Sequence, residues 1–290
     1  MDIDIPLVDI QPSLKEMREL SFLSIYLSSS FFAIVTYIFN TFTLNNLFRK
    51  RKSLQQSNTV ILSICWHFAF SLVVIIHCVY MSLYLTGCTA RYDHFLFWTG
   101  DLVYSIEASI GICNLFVALD RVTAMWWPLN YHQTHNKSLL KVALISTTSI
   151  TVLFGAVFAV NRSQFLRSDA MAFIEYINIR VVQVLHWFDA VTSIANVIIT
   201  LVFLNELRKY MAKTRAHAIG HCEGTAKINK LVNYQVTAEV LVISIPILAT
   251  SLYNYIAKTS LPRAVGPYPI TIASLYTAIC SLLFYYKLKM

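Results

Sequence analysis

Seven stretches of apolar residues, each long enough to cross a bilayer as a helix, constrain this chain more than any motif in it. They lie near 22–47, 59–85, 95–119, 139–160, 179–204, 234–257 and 268–286. A spanning helix needs about 20 mostly apolar residues, and only helices or closed barrels satisfy the backbone in hydrocarbon. Runs this long are helical, because barrel strands are about half that length. Composition agrees: 57% of the 290 residues are hydrophobic and 13% are charged, against about 45–50% and about 25% in soluble domains. The sequence therefore predicts an all-α membrane protein, one seven-transmembrane helix bundle over 1–290. Residues 1–21 form an outer N-terminal segment in this reading, and 287–290 a short cytoplasmic tail.

Charge sets the expected orientation. Of the 23 Lys and Arg residues, fifteen fall on one side, including "FRKRK" at 48–52, the 205–233 connection and Lys287 and Lys289; eight fall on the other. Basic residues collect on the cytoplasmic side, which puts the N-terminus outside and the C-terminus inside. The same rule explains the net charge of +8 without a nucleic-acid partner. The first twenty residues are acidic and lack a signal-peptide pattern, so the first span acts as its own insertion signal. Of two glycosylation acceptor tripeptides, starting at Asn136 and Asn161, this topology exposes only Asn161 on the outer face. Among the six cysteines only Cys88 falls in an outer loop, which argues against an outer disulfide. His217, His221 and Cys222 sit in a basic loop and read as solvated rather than as a zinc site. No phosphate-binding glycine loop, nucleophile elbow or zinc-protease pattern occurs. The expectation is a non-enzyme with no cofactor and no metal.

The stretch "ALDRVTAMWWPLNYH", residues 118–132, puts Asp120 and Arg121 at the cytoplasmic end of the third span, where a charge costs least. Asp120-Arg121, Ala124, Pro128-Leu129 and Tyr131 reproduce the spacing D-R-x-x-A-x-x-x-P-L-x-Y, which resembles rhodopsin-like G-protein-coupled receptors. The short tail, the compact size and the form "VALDRVTAMWWPLNYH" resemble the class BC nematode serpentine chemoreceptors within them. The resemblance implies that Arg121 contacts an inserted G-protein helix after activation, that Pro128 begins a loop helix, and that Tyr131 lies on the surface the G protein reads. It further implies a chemosensory role in the plasma membrane of a sensory cell. Pro246, in "LVISIPILAT", matches the sixth-helix kink of such receptors. The sequence departs from rhodopsin in three places: no Asn-Pro-x-x-Tyr in the seventh span, where "IASLYTAICSLLFYY" stands; no acidic residue in the second, where "LSICWHFAF" stands; and no cysteine pair joining the third span to the second outer loop.

Ionisable residues in hydrocarbon are costly and point to function. Along the third span Glu107, Gly111, Asn114, Ala118 and Arg121 recur at steps of four, three, four and three, so they share a face that looks into the bundle. Glu107 lies roughly 21 Å above Arg121, in the outer half of the membrane. With Tyr104 on the same span, His186, Trp187 and Asp189 in the fifth, and Tyr253 and Asn254 in the sixth, it would line a small-molecule pocket of polar groups and aromatic walls. A purely structural reading stands beside this one, in which Asp189 pairs with His186 and Glu107 bonds a neighbouring helix. Glu239 stands just before the apolar run 240–257, which suggests the cytoplasmic boundary and a resting-state bond to Arg121, since the usual partner position holds Ala226 or Lys227. The function expected is a receptor that binds a small-molecule ligand outside and activates a cytoplasmic heterotrimeric G protein. A seven-helix ligand-gated odorant channel subunit, with an inside N-terminus, and a small membrane transporter are the alternatives. The charge census opposes the first; the second commonly shows internal repeats, and none is visible.

Overall fold

The computed structural model describes residues 10–49, 58–127, 131, 135–162, 171–215, 234, 237–257 and 265–289. Pro128, His217, His221, Cys222, Ala226 and Lys227 lie outside the described residues. Each apolar stretch folds as a helix: α1 (Ile10–Arg49), α2 (Asn58–Leu85), α3 (Asp93–Trp126), α4 (Asn136–Val160), α5 (Ile179–Arg215), α6 (Ile245–Ala257) and α7 (Tyr268–Lys289). A π-helical turn, Val240–Ser244, leads into α6, and a 3-10 turn, Phe173–Tyr176, precedes α5. The described residues contain no β-strand, only an isolated bridge between Arg162 and Ile177. α1 packs on α2 and α7, α2 on α3, and α3 on both α4 and α5, which makes α3 the central element.

Several helices run beyond their apolar stretches. The 34 residues of α3 extend about 50 Å, well past a hydrocarbon layer of about 30 Å. α1 begins at Ile10 and α5 continues to Arg215, so polar ends of these helices project from the bundle. Six of the described helices are long and apolar enough to cross a membrane; the seventh, with an apolar part at Thr237–Tyr253, is shorter. The π turn in that part coincides with Pro246. A proline lacks the N–H that would bond one turn back, and just before it the Ser244 hydroxyl donates to the Glu239 carbonyl at 3.3 Å.

Burial is inverted relative to a soluble bundle. Phe31, Ile38, Ile145, Val152, Ile198 and Leu201 point outward and are exposed, while Thr36, Asn40, Ser63, His67, Asn114 and Asn196 are buried. Lipid-facing surfaces are apolar, and polar side chains join helices inside. Thus the Trp66 indole N–H on α2 donates to the Thr147 hydroxyl on α4 at 3.1 Å, and Ser109 on α3 donates to the Thr147 carbonyl at 2.9 Å. Below, "upper" denotes the end of the bundle bearing the 171–177 segment and "lower" the end bearing Asp120.

Candidate functional site

The face of α3 anticipated from its spacing does look inward, and a cavity opens against it. Tyr104, Glu107, Gly111 and Asn114 line one wall, His186 and Asp189 of α5 a second, and Glu239, Tyr268 and Tyr276 the side formed by the sixth and seventh helices. The centre of a water molecule can move through about 50 Å³ of it, room for some four waters at about 10–15 Å³ each. Two deeply buried polar atoms in its lining have no partner among the described residues: the Tyr104 hydroxyl, on a side chain 2% exposed, and Asn114 Oδ1, on one 3% exposed. Glu107 Oε2 is likewise buried and unbonded. Among the described residues no hydrogen bond joins His186 to Asp189, and no Lys or Arg belongs to the lining.

A hydrogen-bonded floor closes the cavity below. Asn114 Nδ2 donates to the Tyr276 hydroxyl at 2.8 Å, and that hydroxyl reaches Glu239 Oε2 at 3.4 Å. Asn196 of α5 donates to Glu239 Oε1, and the Ser193 and Ser244 hydroxyls join α5 to the π turn beside it. One carboxylate thereby ties the third, fifth, sixth and seventh helices together. This differs from the boundary position expected of Glu239 and from its expected bond to Arg121. The seven residues from Asn114 to Arg121 cover roughly 10 Å of helix, and Glu239 sits at the Asn114 level. The apolar run begins after it because a polar residue bonded inside the bundle moves the hydropathy boundary inward, not because the membrane ends there.

A folded segment covers the upper side. Met171, Ala172, Phe173, Ile174, Tyr176 and Ile177 are each at most 5% exposed, and Phe173 stacks on Tyr104 with ring centroids 5.3 Å apart. α3 meets Phe173 at Gly100, where a Cβ would approach the Phe173 Cβ to 2.6 Å. Three groups hold the segment in place. Glu175 bonds Arg18 of α1 and accepts from the Met171 N–H, and the Tyr26 hydroxyl donates to the Met171 carbonyl at 2.9 Å. At the other side Arg91 donates to Asp93 at 2.7 Å and to the Tyr176 hydroxyl at 2.9 Å, while that hydroxyl donates to Asp93 at 2.7 Å. Burial disfavours the Arg91 charge, yet the bonds to Asp93 and Tyr176 outweigh it and hold the guanidinium above its ordinary pKa. Burial, then the Asp93 carboxylate, push the Tyr176 phenol up.

At the lower end the Tyr131 hydroxyl donates to Asp120 Oδ1 at 2.6 Å, and both side chains are buried. Arg121 is partly buried, with its Nε unbonded among the described residues. A sequence spacing of eleven thus closes into one contact.

A comparison with protein-family profiles matches residues 18–290 to Serpentine type 7TM GPCR chemoreceptor Srbc. The chain belongs to this family. A comparison with curated proteins found no match. The Srbc chain is accordingly a seven-transmembrane chemoreceptor and a multi-pass membrane protein.

The receptor brings together Tyr104, Glu107, His186, Asp189 and Glu239 at one cavity. It leaves two residues expected there outside: Trp187 is 57% exposed and Tyr253 48% exposed, both turned to the outer surface of the bundle. Trp187 follows His186 directly, and successive helical residues differ by about 100°, so both cannot face the cavity. Asn161 caps α4, its Nδ2 donating to the Val157 carbonyl at 2.8 Å. The receptor also uses residues that sequence spacing did not single out. Tyr276, Asn196, Tyr268 and Phe173 are defined by partners on other helices, such as Thr250, whose hydroxyl lies 2.6 Å from that of Tyr268. A tyrosine in "IASLYTAICSLLFYY" carries no local mark of such a partner.

Proposed function

We infer that this serpentine receptor binds a small-molecule ligand in the cavity between α3, α5, α6 and α7 and activates a cytoplasmic heterotrimeric G protein at its lower end. The orientation in this reading follows the Lys and Arg census, with the N-terminus outside and the receptor in the plasma membrane. The observation that carries it is the Glu239 floor: a cavity wall and four helices share one bonded group, so a ligand that shifts the wall also shifts helix packing. Coupling between two sites requires such an element with two arrangements. Below it, Asp120 and Tyr131 hold the lower end of α3, while Arg121 faces the region where a G-protein segment would insert. Pro128 starts the adjoining connection, and the basic 205–233 connection supports the same contact.

Guanine-nucleotide exchange on purified heterotrimeric G proteins, with the receptor in lipid nanodiscs, tests this reading. Exchange above the receptor-free rate with at least one heterotrimer is expected. Arg121→Ala should abolish it, and Tyr131→Phe, which removes a bond to a charged group of about 1.5–3 kcal/mol, should raise it. Exchange that Arg121→Ala leaves intact would refute the assignment of the lower end.

A further inference from the structure

We propose that the ligand of the cavity is a small organic cation, a protonated amine held by the Glu107 and Asp189 carboxylates. The proposal rests on the cavity being the ligand site and adds the class of ligand. Three carboxylates line the cavity, and only that of Glu239 has hydrogen-bond partners among those described, Asn196 and Tyr276. Glu107 and Asp189 face the same space from α3 and α5, and among the described residues no Lys or Arg in the lining answers them. Among the described residues His186 is the one basic side chain in the lining, and no described hydrogen bond joins it to either carboxylate. A buried carboxylate with no partner is costly in a low-dielectric interior, and a cationic ligand removes that cost where a neutral one does not.

The neighbouring groups suit the same ligand. An ammonium group offers up to three donors, and residues of the lining carry acceptors with no partner among the described residues: Glu107 Oε2, Asn114 Oδ1 and the Tyr104 oxygen. Asn114 Oδ1 and the Tyr104 hydroxyl belong to side chains 3% and 2% exposed. Tyr104, Tyr268 and Tyr276 also belong to the lining, and aromatic side chains attract cations. Ile110, Ile243 and Ile272 supply apolar lining for a short hydrocarbon body. The modest open volume favours a compact amine over a long-chain one.

The test uses the full chain in nanodiscs and two primary amines, isobutylamine and 2-phenylethylamine, each beside the alcohol and the carboxylate of the same skeleton. Binding is read by the saturable rise in thermal midpoint. At least one amine should bind roughly 30-fold or more tightly than its alcohol, with the carboxylate weakest, because only the amine supplies a charge to pair with the buried carboxylates. Glu107→Gln and Asp189→Asn should each shrink that preference, and the wild-type ligand series stands even where a variant fails to fold. An alcohol equal to its amine, or an amine preference unchanged in both folded variants, overturns the cation while leaving a ligand cavity in place. Absence of saturable binding by all six compounds overturns the cation and counts against the cavity reading itself.

Discussion

At the scale of single residues, Asn161 links topology to local structure. Its Nδ2 closes α4 by donating to Val157, and a glycan on that nitrogen leaves one N–H, enough to keep the bond. Asn136, the other acceptor tripeptide, starts the same helix at the opposite end and accepts from Asn58 Nδ2 at 3.2 Å. The two therefore lie on opposite membrane faces whichever way the chain inserts, since 25 residues of α4 separate them. A glycosidase-sensitive mass shift is expected in the wild type and in Asn136→Gln, and is lost in Asn161→Gln. A shift lost only in Asn136→Gln would place the N-terminus inside and favour the channel reading. Asp120 and Tyr131 were legible at this scale as a spaced motif, but not as a bonded pair: the resemblance implied an accessible Tyr131, and its side chain is buried against Asp120. Glu239 was legible only as costly: the sequence shows that a carboxylate interrupts an apolar run, but its partners Asn196 and Tyr276 lie 43 and 37 residues away.

At the scale of elements, the 171–177 segment lies between α4 and α5 and packs on α3 with no disulfide among the described residues. Here polar bonds from α1 and from Arg91 and Asp93 hold it, and Phe173 seats on α3 only because residue 100 is glycine. Gly100→Ala puts a Cβ 2.6 Å from the Phe173 Cβ, an overpacking expected to cost about 1–3 kcal/mol. Gly155→Ala is the matched control, since its Cβ would meet nothing closer than Asp101 Oδ1 at 3.6 Å. Alanine gains up to about 1 kcal/mol over glycine within a helix. Thermal unfolding in nanodiscs should thus show a lower midpoint for Gly100→Ala and an equal or higher one for Gly155→Ala. Equal midpoints for both would mean that Phe173 does not seat on α3. The segment could not be read from sequence, because "MAFIEYI" at 171–177 is an apolar run too short to span and its anchors Arg18, Tyr26 and Arg91 belong to other parts of the chain.

At the scale of the whole molecule, the seven-helix bundle was legible because hydrocarbon leaves the backbone so few options. The inward face of α3 was legible because helical periodicity survives burial. What periodicity cannot supply is the facing helix: Trp187 and Tyr253 were attractive by depth and chemistry, and rotation about the α5 and α6 axes turns both away. Inside the bundle polar contacts join the helices alongside a buried apolar core, and their directionality helps set which packing arrangement is stable. Tyr276 is central among them, accepting from Asn114 and reaching Glu239 between the cavity and the lower end. Tyr276→Phe removes one hydroxyl, keeps the ring, and takes from Asn114 Nδ2 its acceptor at 2.8 Å, a penalty of about 1–3 kcal/mol.

The most direct test of coupling between the cavity floor and the lower end needs no ligand: basal nucleotide exchange by wild type and Tyr276→Phe, on the same heterotrimer and at equal amounts of folded receptor. A severalfold change in the basal rate is the predicted result, since a shift of about 1 kcal/mol between two packing arrangements changes their ratio by about fivefold. A rate equal to wild type, from a receptor whose thermal midpoint shows that the bond was lost, would contradict the account.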